Sequence, residues 1–498
     1  MRRLLFALLA IVTALTLVAA AYADPNNNNS MKLRKAVTLE GVRAHQAALQ
    51  AIASANGGNR YSGFAGHDAS VAYVVDTLKA SGYNPVVQPF VYKAFFQEGP
   101  STLEQTAPGS TLYGEGTDYL LMDQTDPGNV TAAVTAVDIQ LGLGNTSTSG
   151  CEAADFAGFP VGNIALIQRG TCTFLLKAEN AAAAGAIGAI IFNQGNTAAR
   201  TPLFAGTLSG AYSGGIPVVS VSYNRGAEWA GTAGLMMHLV ADVFRTDVTT
   251  YNVLAELPGK KPGNVVMVGA HLDSVQEGPG INDNGSGSAA ILEVAEQMTK
   301  VKPWNTVRFA WWGAEESGLV GSAEYVFGLS DAELDKIALY LNFDMVGSPN
   351  FVRFVYDGDG SAFGASGPPG SAAIEQVFNG YFAANGLATE PTAFDGRSDY
   401  QAFIVSGIPA GGLFTGAEGI KTAAQAATYG GTAGAPFDPC YHQACDTYSN
   451  NSNTALDQMS DAIAHTTITF AQNTSLVNGV AGKGNFNSLD KINGQARK

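Results

Sequence analysis

Two histidines and a set of carboxylates stand in this sequence where they could hold metal ions. His271 and Asp273 close the apolar run that begins at Val265, and a Gly-rich loop then presents Asp283 just before a small-residue helix start. Glu315 and Glu316 follow the run VRFAWWGA, Asp344 ends LYLNFDM, and His442 lies in PCYHQAC. Imidazoles with carboxylates, and no thiolate, suit zinc in a catalytic rather than a structural site. A carboxylate bridging two ions is the usual device of two-metal hydrolases, and Asp283 is the natural bridge. Glu315, adjacent to a ligand but not needed as one, can take and return a proton as general base and acid. Asp273 can orient His271 by accepting its other ring N–H. His45, His67, His238 and His465 lack such company and read as surface or packing residues.

For these side chains to meet, the segments that carry them must end at one edge of a sheet. Past Thr250 the apolar strands Val265–Gly269, Val307–Trp312, Ala338–Phe343 and Pro409–Phe414 alternate with helical segments around 287–300, 331–337, 371–385 and 398–405. Two of those helices open on capping-box patterns, Ser330 with Glu333 and Ser398 with Gln401. The alternation predicts an α/β fold: a mixed, mostly parallel central sheet covered by helices on both faces, with ligand sites at the carboxyl ends of its strands. Upstream, residues 36–56 and 69–80 read as helices and Val86–Tyr92 as a strand. From about residue 112 the texture shifts to short β-type runs, including Asn163–Gln168 and Gly215–Val221, around a helix at Thr173–Ala184 and a strand at Ala186–Asn193. That predicts a small, self-contained, β-rich unit. A last helix, Thr454–Gln472, leads to a polar tail, residues 476–498.

The 498 residues are too many for one ordinary core, and 46% hydrophobic content with 14% charged residues reads as globular and well buried. A net charge of −15 leaves no basic patch for a phosphate backbone, so no nucleic-acid role is expected. Residues 1–23 carry Arg2 and Arg3, an apolar run and the close Ala21-Tyr22-Ala23, the pattern of a secretory signal peptide. Residues 24–35 follow as a linker or short propeptide. No later apolar stretch is long enough to span a bilayer, so a secreted protein without a stable membrane anchor is expected. Cys151, Cys172, Cys440 and Cys445 suit two disulfides in an oxidising compartment, and local pairing is the economical choice among three connectivities. No G-x-S-x-G elbow suggests a serine hydrolase.

The motifs GAHLDSV, GINDNGSGSAA, RFAWWGAEE, LNFDMVGSPN, DGRSDY, GGLFTGAE and CYHQACDTYSN, in this order, resemble the secreted double-zinc aminopeptidases of the bacterial leucine aminopeptidase and aminopeptidase Y type. The segment GNIALIQRGTCTFLLKAENAAAAGAIGAIIFNQ resembles the protease-associated domain, with Cys151 and Cys172 placed as that module's disulfide would be. The resemblance implies a peptidase domain split over 36–111 and 246–475, with the inserted module at 112–245. It implies two zinc ions per chain, His271 and Asp344 on one, Glu316 and His442 on the other, and Asp283 bridging. It gives Glu315 the general-base role, Tyr441 a hydrogen bond to the developing oxyanion, Arg397 a place near the substrate carbonyl or carboxyl terminus, and Met345 and Phe414 the wall of an apolar pocket. The implied substrate is the N-terminus of a peptide or protein, with an apolar first residue such as leucine. Some relatives also carry calcium between helix carboxylates and an N-terminal aspartate. Asp457 and Asp461 match the helix pair, but Lys32–Leu39 offers no acid before Glu40, which weighs against calcium there. A metallocarboxypeptidase of the same superfamily and a non-catalytic receptor are the rival readings. The first would need an arginine cluster where only Arg397 stands, and the second would lack ligands that are present here.

Overall fold

The computed structural model describes residues 28–482. The signal segment 1–23 and the end of the polar tail lie outside the described residues. The chain divides into two compact units, one from the segments up to Phe90 and from Thr249 onward, the other from Val91 to Val248.

The first unit is built on a sheet of eight strands, the first two of which continue past its limits at Phe90 and Thr249: β1 (Val86–Gln97), β2 (Val243–Leu257), β3 (Lys261–His271), β4 (Asn305–Trp312), β5 (Ile337–Phe343), β6 (Phe354–Tyr356), β7 (Glu390–Thr392) and β8 (Ala410–Phe414). Their order across the sheet is β1-β2-β4-β3-β5-β8-β6-β7. β3 runs parallel to β4 and β5, and β5 to β8, while β2 and β6 are antiparallel to β4 and β8. Four parallel strands at the centre therefore end on the same edge. The mixed, mostly parallel α/β sheet expected from the alternating pattern is what the chain forms.

The central strands read as continuous apolar runs because both their faces are buried. Val266, Val268 and Ala270 of β3 join Phe309 and Trp311 of β4 and Leu339, Leu341 and Phe343 of β5 in one core, covered by the helices Leu39–Ala55, Gly285–Met298, Ser371–Ala384 and Asn453–Gln472. Val265 and Met267 point the other way with Trp312 and Tyr340, under the helices Val320–Phe327 and Tyr400–Val405. The period of two along each strand thus divides one hydrophobic run between two cores.

Three local outcomes differ from the sequence pattern. Within the stretch expected as a linker or short propeptide, residues 24–35, the described part from Asn28 to Ala36 is helical, and Leu33 finds a place in the main core. After the last long helix the chain makes one more turn, Ser475–Asn478, and buries Val477 before leaving the described region. The capping box at Ser330 and Glu333 forms, but the helix near residue 400 is preceded by Asp399 with no side-chain cap, because the Ser398 hydroxyl is engaged elsewhere.

The second unit holds its own eight-stranded sheet, in which Ile164–Gln168, Gly188–Phe192 and Val218–Val221 are the buried parallel centre. It reaches back before residue 112, since Thr102–Ala107 pairs with Met236–Ala241. A disulfide joins Cys151 to Cys172 within it, and Cys440 is joined to Cys445 in the first unit. Among the described residues no helix is long and apolar enough to cross a membrane.

Candidate metal centre

His271 is the last residue of β3, Glu315 and Glu316 follow β4, and Asp344 follows β5, so parallel pairing alone brings four of the predicted residues to one edge. Asp283 arrives from the loop that leads into the helix Gly285–Met298. That helix is capped by Asn284, whose side-chain oxygen accepts from the amide of Gly287 at 2.9 Å while its amide group donates to the carbonyl of Phe343 at 2.9 Å. One side chain thereby ties the Asp283 loop to the strand that carries Asp344. The small residues of GSGSAA permit this approach: a Cβ on Gly287 would stand 2.2 Å from the Phe343 carbonyl oxygen. His442 sits in the short loop closed by the disulfide between Cys440 and Cys445, five positions apart, with a left-handed backbone (φ 55°). Met345 has the same left-handed form (φ 52°) directly after Asp344. Such conformations cost non-glycine residues of order 1 kcal/mol and persist only where surrounding structure holds them.

The geometry separates into two groups that share Asp283. His271 Nε2 lies 3.2 Å from Asp283 Oδ1 and 3.3 Å from Asp344 Oδ1. His442 Nε2 lies 3.2 Å from Asp283 Oδ2 and 3.1 Å from Glu316 Oε2. Each imidazole nitrogen therefore faces two carboxylate oxygens, which a single N–H cannot satisfy together. Ligands about 2.0–2.1 Å from a tetrahedral zinc are separated by about 3.3 Å. The observed spacings match that edge length, and the donor set of imidazole nitrogen and carboxylate oxygen is that of catalytic zinc, so these residues fit the metal. Glu315 Oε2 stands further off, 3.9 Å from His271 Nε2.

Burial dominates the electrostatics. It pushes Glu315 well above the usual carboxylate range, with His271 opposing and Asp344 and Glu316 adding to the rise. It brings Glu316 to about 7, against the pull of His442. For Asp283 burial is outweighed: hydrogen bonds from both histidines hold it below its ordinary value. Burial also raises the Tyr441 phenol well above its usual value, so it is protonated and able to donate at neutral pH.

Asp273 is buried beside His271, but its Oδ1 is 3.6 Å from Nδ1, too long for a hydrogen bond. Its carboxylate instead accepts from the backbone amides of Glu315 at 3.2 Å and Glu316 at 3.4 Å, fixing the turn that presents both glutamates. Tyr441 stacks on His442 with ring centroids 3.8 Å apart. Arg397 donates to the Tyr441 hydroxyl at 3.2 Å and pairs with Glu418 at 2.8 Å. Met345 and Phe414 line the same open cleft as Glu315 and Tyr441, as do Tyr356, Thr392 and Ala417. All the residues singled out from the sequence for metal, catalysis and substrate thus converge on one place. Asp457 and Asp461 lie elsewhere, and there the N-terminal helix presents Arg34, 3.8 Å from Asp461, where an acid would be required for calcium. His45 is buried in a separate network with Tyr73 and Glu296 at 2.7 and 3.0 Å.

Four supporting residues have no role in the site assigned from the sequence, although Asn284, Ser398 and Asp446 stand inside motifs that carry the resemblance. Ser398 donates to Asp344 Oδ2 at 2.6 Å, orienting that carboxylate. Asp446 accepts from the amides of Asn282 and Asp283, both at 2.9 Å. Arg60 is fully buried and holds the 272–280 loop, donating to the carbonyls of Pro279 at 2.9 Å and Gly280 at 2.6 Å and to that of Leu272. Asn284 completes the set as helix cap and strand tie.

The Peptidase family M28 profile matches residues 252–467, and the PA domain profile matches residues 130–229. An aminopeptidase of Pseudomonas aeruginosa is 57% identical over 429 residues, spanning 86% of this chain and 80% of that protein. Leucine aminopeptidase 2 of Trichophyton equinum is 41% identical over 446 residues, spanning 88% and 86%. Among solved structures, a zinc aminopeptidase from Bacillus subtilis is similar with a TM-score of 0.58 at 27% identity, covering 86% of this chain and 94% of that one.

Proposed function

Because this chain belongs to peptidase family M28, with a PA domain inserted, we propose that it is a zinc-dependent aminopeptidase that removes an apolar N-terminal residue, such as leucine, from peptides. The observation that carries the reading is the division of the Asp283 carboxylate, one oxygen 3.2 Å from His271 and the other 3.2 Å from His442. That arrangement suits two zinc ions with Asp283 between them, His271 and Asp344 holding one and Glu316 and His442 the other. Asp283, Glu315, Glu316 and Asp344 crowd their carboxylates into one largely buried site, and buried carboxylate charge is tolerated only when paired, which suits cations there. When bound, zinc supplies Lewis-acid activation of water and of the scissile carbonyl.

The residues of the chain do the rest. Glu315, hydrogen-bonded through its backbone to Asp273 and kept out of bulk water, takes a proton from the attacking water and returns it to the leaving amine. Tyr441 donates to the oxyanion that develops on the carbonyl oxygen, and Arg397 fixes the phenol for that task. Met345 and Phe414 receive the first side chain, and Ser398 holds Asp344 in its ligating orientation. Two disulfides suit action in an oxidising compartment, in keeping with secretion. The test compares leucine p-nitroanilide with its N-acetyl derivative. Hydrolysis of the free amine alone supports the aminopeptidase, and equal turnover of both overturns it.

A further inference from the structure

Away from the zinc site, β6 runs into a glycine-rich loop, DGDGSAFGASGPPG, that leads to the helix Ser371–Ala384. Asp357 and Asp359 from the loop and Glu375 from the helix each bring a carboxylate oxygen within 4.8 Å of the other two. Backbone amides already hold one oxygen of each. Ala362 and Phe363 donate to Asp357 Oδ2 at 3.0 Å, Ser361 donates to Asp359 Oδ1 at 2.8 Å, and Gly358 donates to Glu375 Oε2 at 2.9 Å. The left-handed turn at Gly360 (φ 74°) lets the loop fold back on itself for these bonds. Asp357 is 1% exposed, and its Oδ1 is buried without any hydrogen-bond partner. Among the described residues no lysine, arginine or histidine nitrogen lies within 4.0 Å of these three carboxylates. A buried acceptor left unmet among like charges is costly, and a cation is what would satisfy it.

We propose that Asp357, Asp359 and Glu375 bind a calcium ion. The donors are all oxygen, with no imidazole or thiolate, which selects a hard cation over zinc. Asp357, Asp359 and Ser361 alternate along the loop as the first three ligand positions of calcium-binding loops do, and Glu375 supplies the carboxylate from the following helix. The ion would anchor a wall of the cleft: Asp357 follows Tyr356, and its amide donates to the Thr392 carbonyl at 2.8 Å, with both Tyr356 and Thr392 lining the cleft.

The inference does not depend on the peptidase reading, and its test measures metal rather than turnover. Zinc-loaded full-length protein is titrated with calcium chloride by calorimetry, beside Asp357→Asn and Asp359→Asn, with zinc content measured on each sample. Asp359 is exposed, so its variant guards against a mere folding defect. The expected result is saturable binding with a Kd of about 10⁻⁵ to 10⁻³ M, in the range of calcium sensors and extracellular modules. Both variants should weaken it by at least about tenfold with zinc content unchanged, and calcium should raise the melting temperature of the wild type only. Absence of saturable binding below about 10 mM, or wild-type affinity in both variants, overturns the site.

Discussion

Replacing Asp446 by alanine probes how the metal loop is held without touching a proposed ligand. The Asp446 carboxylate is 2% exposed and accepts the amides of Asn282 and Asp283, both at 2.9 Å. Alanine leaves two buried amide donors unmet, each costing about 1–3 kcal/mol. Part of that is offset, because burial pushes the Asp446 carboxyl itself up to about 8 and its removal relieves that desolvation. A net loss of about 2–4 kcal/mol follows, which corresponds to a melting temperature lower by roughly 3–8 °C. Because the freed amides flank Asp283, zinc retained after dialysis should fall as well. Asparagine at the same position keeps one carbonyl acceptor and should lose about half as much. Differential scanning calorimetry with metal analysis measures both effects. An alanine variant that melts with the wild type and keeps its full zinc would refute this account of the loop.

Glu315→Gln should lower kcat by about 10² to 10⁴-fold while leaving zinc content intact, since it removes the proton carrier and not a ligand; steady-state kinetics with metal analysis checks this. Tyr441→Phe should lower kcat by about 10² to 10³-fold with little change in KM, because its donor acts on charge that develops in the transition state. His45 gives a pH-dependent effect. Burial lowers its pKa, but Glu293 and Glu296 together lift it above the ordinary value. Its stabilising contribution is therefore complete below about pH 6.5 and is lost as pH rises through the folded-state value. His45→Gln should thus lower the melting temperature more at about pH 6 than at about pH 9, and an equal drop at both would contradict the network.

Much of the site could be read from the sequence because its ligands stand at the ends of apolar runs that had to become neighbouring parallel strands. His271, Glu316 and Asp344 needed only the sheet to bring them together, and His442 was marked by its flanking cysteines. What could not be read depends on contacts with no local pattern. Arg60 stands in a glycine-rich stretch between helices, and its partners are carbonyls more than 200 positions away. Ser398 has the spacing of a helix cap, yet its hydroxyl is drawn to Asp344 by the packing of the strand against the loop. Asp273 was expected to orient an imidazole and instead fixes the turn carrying the two glutamates. The strands β6 and β7 are three residues each, too short to show a period, and form by adding to an existing edge, β6 on β8 and β7 on β6.

The most direct test of the account is the zinc content of two variants, measured by mass spectrometry of the metal beside the wild type. Asp283 faces both histidines and His271 faces one half of the centre. If Asp283 bridges, Asp283→Ala should lose both ions, whereas His271→Ala should lose about one and keep the ion held by Glu316 and His442. Two zinc ions retained at full occupancy in the Asp283 variant would contradict the bridge, and with it the two-metal reading of this site.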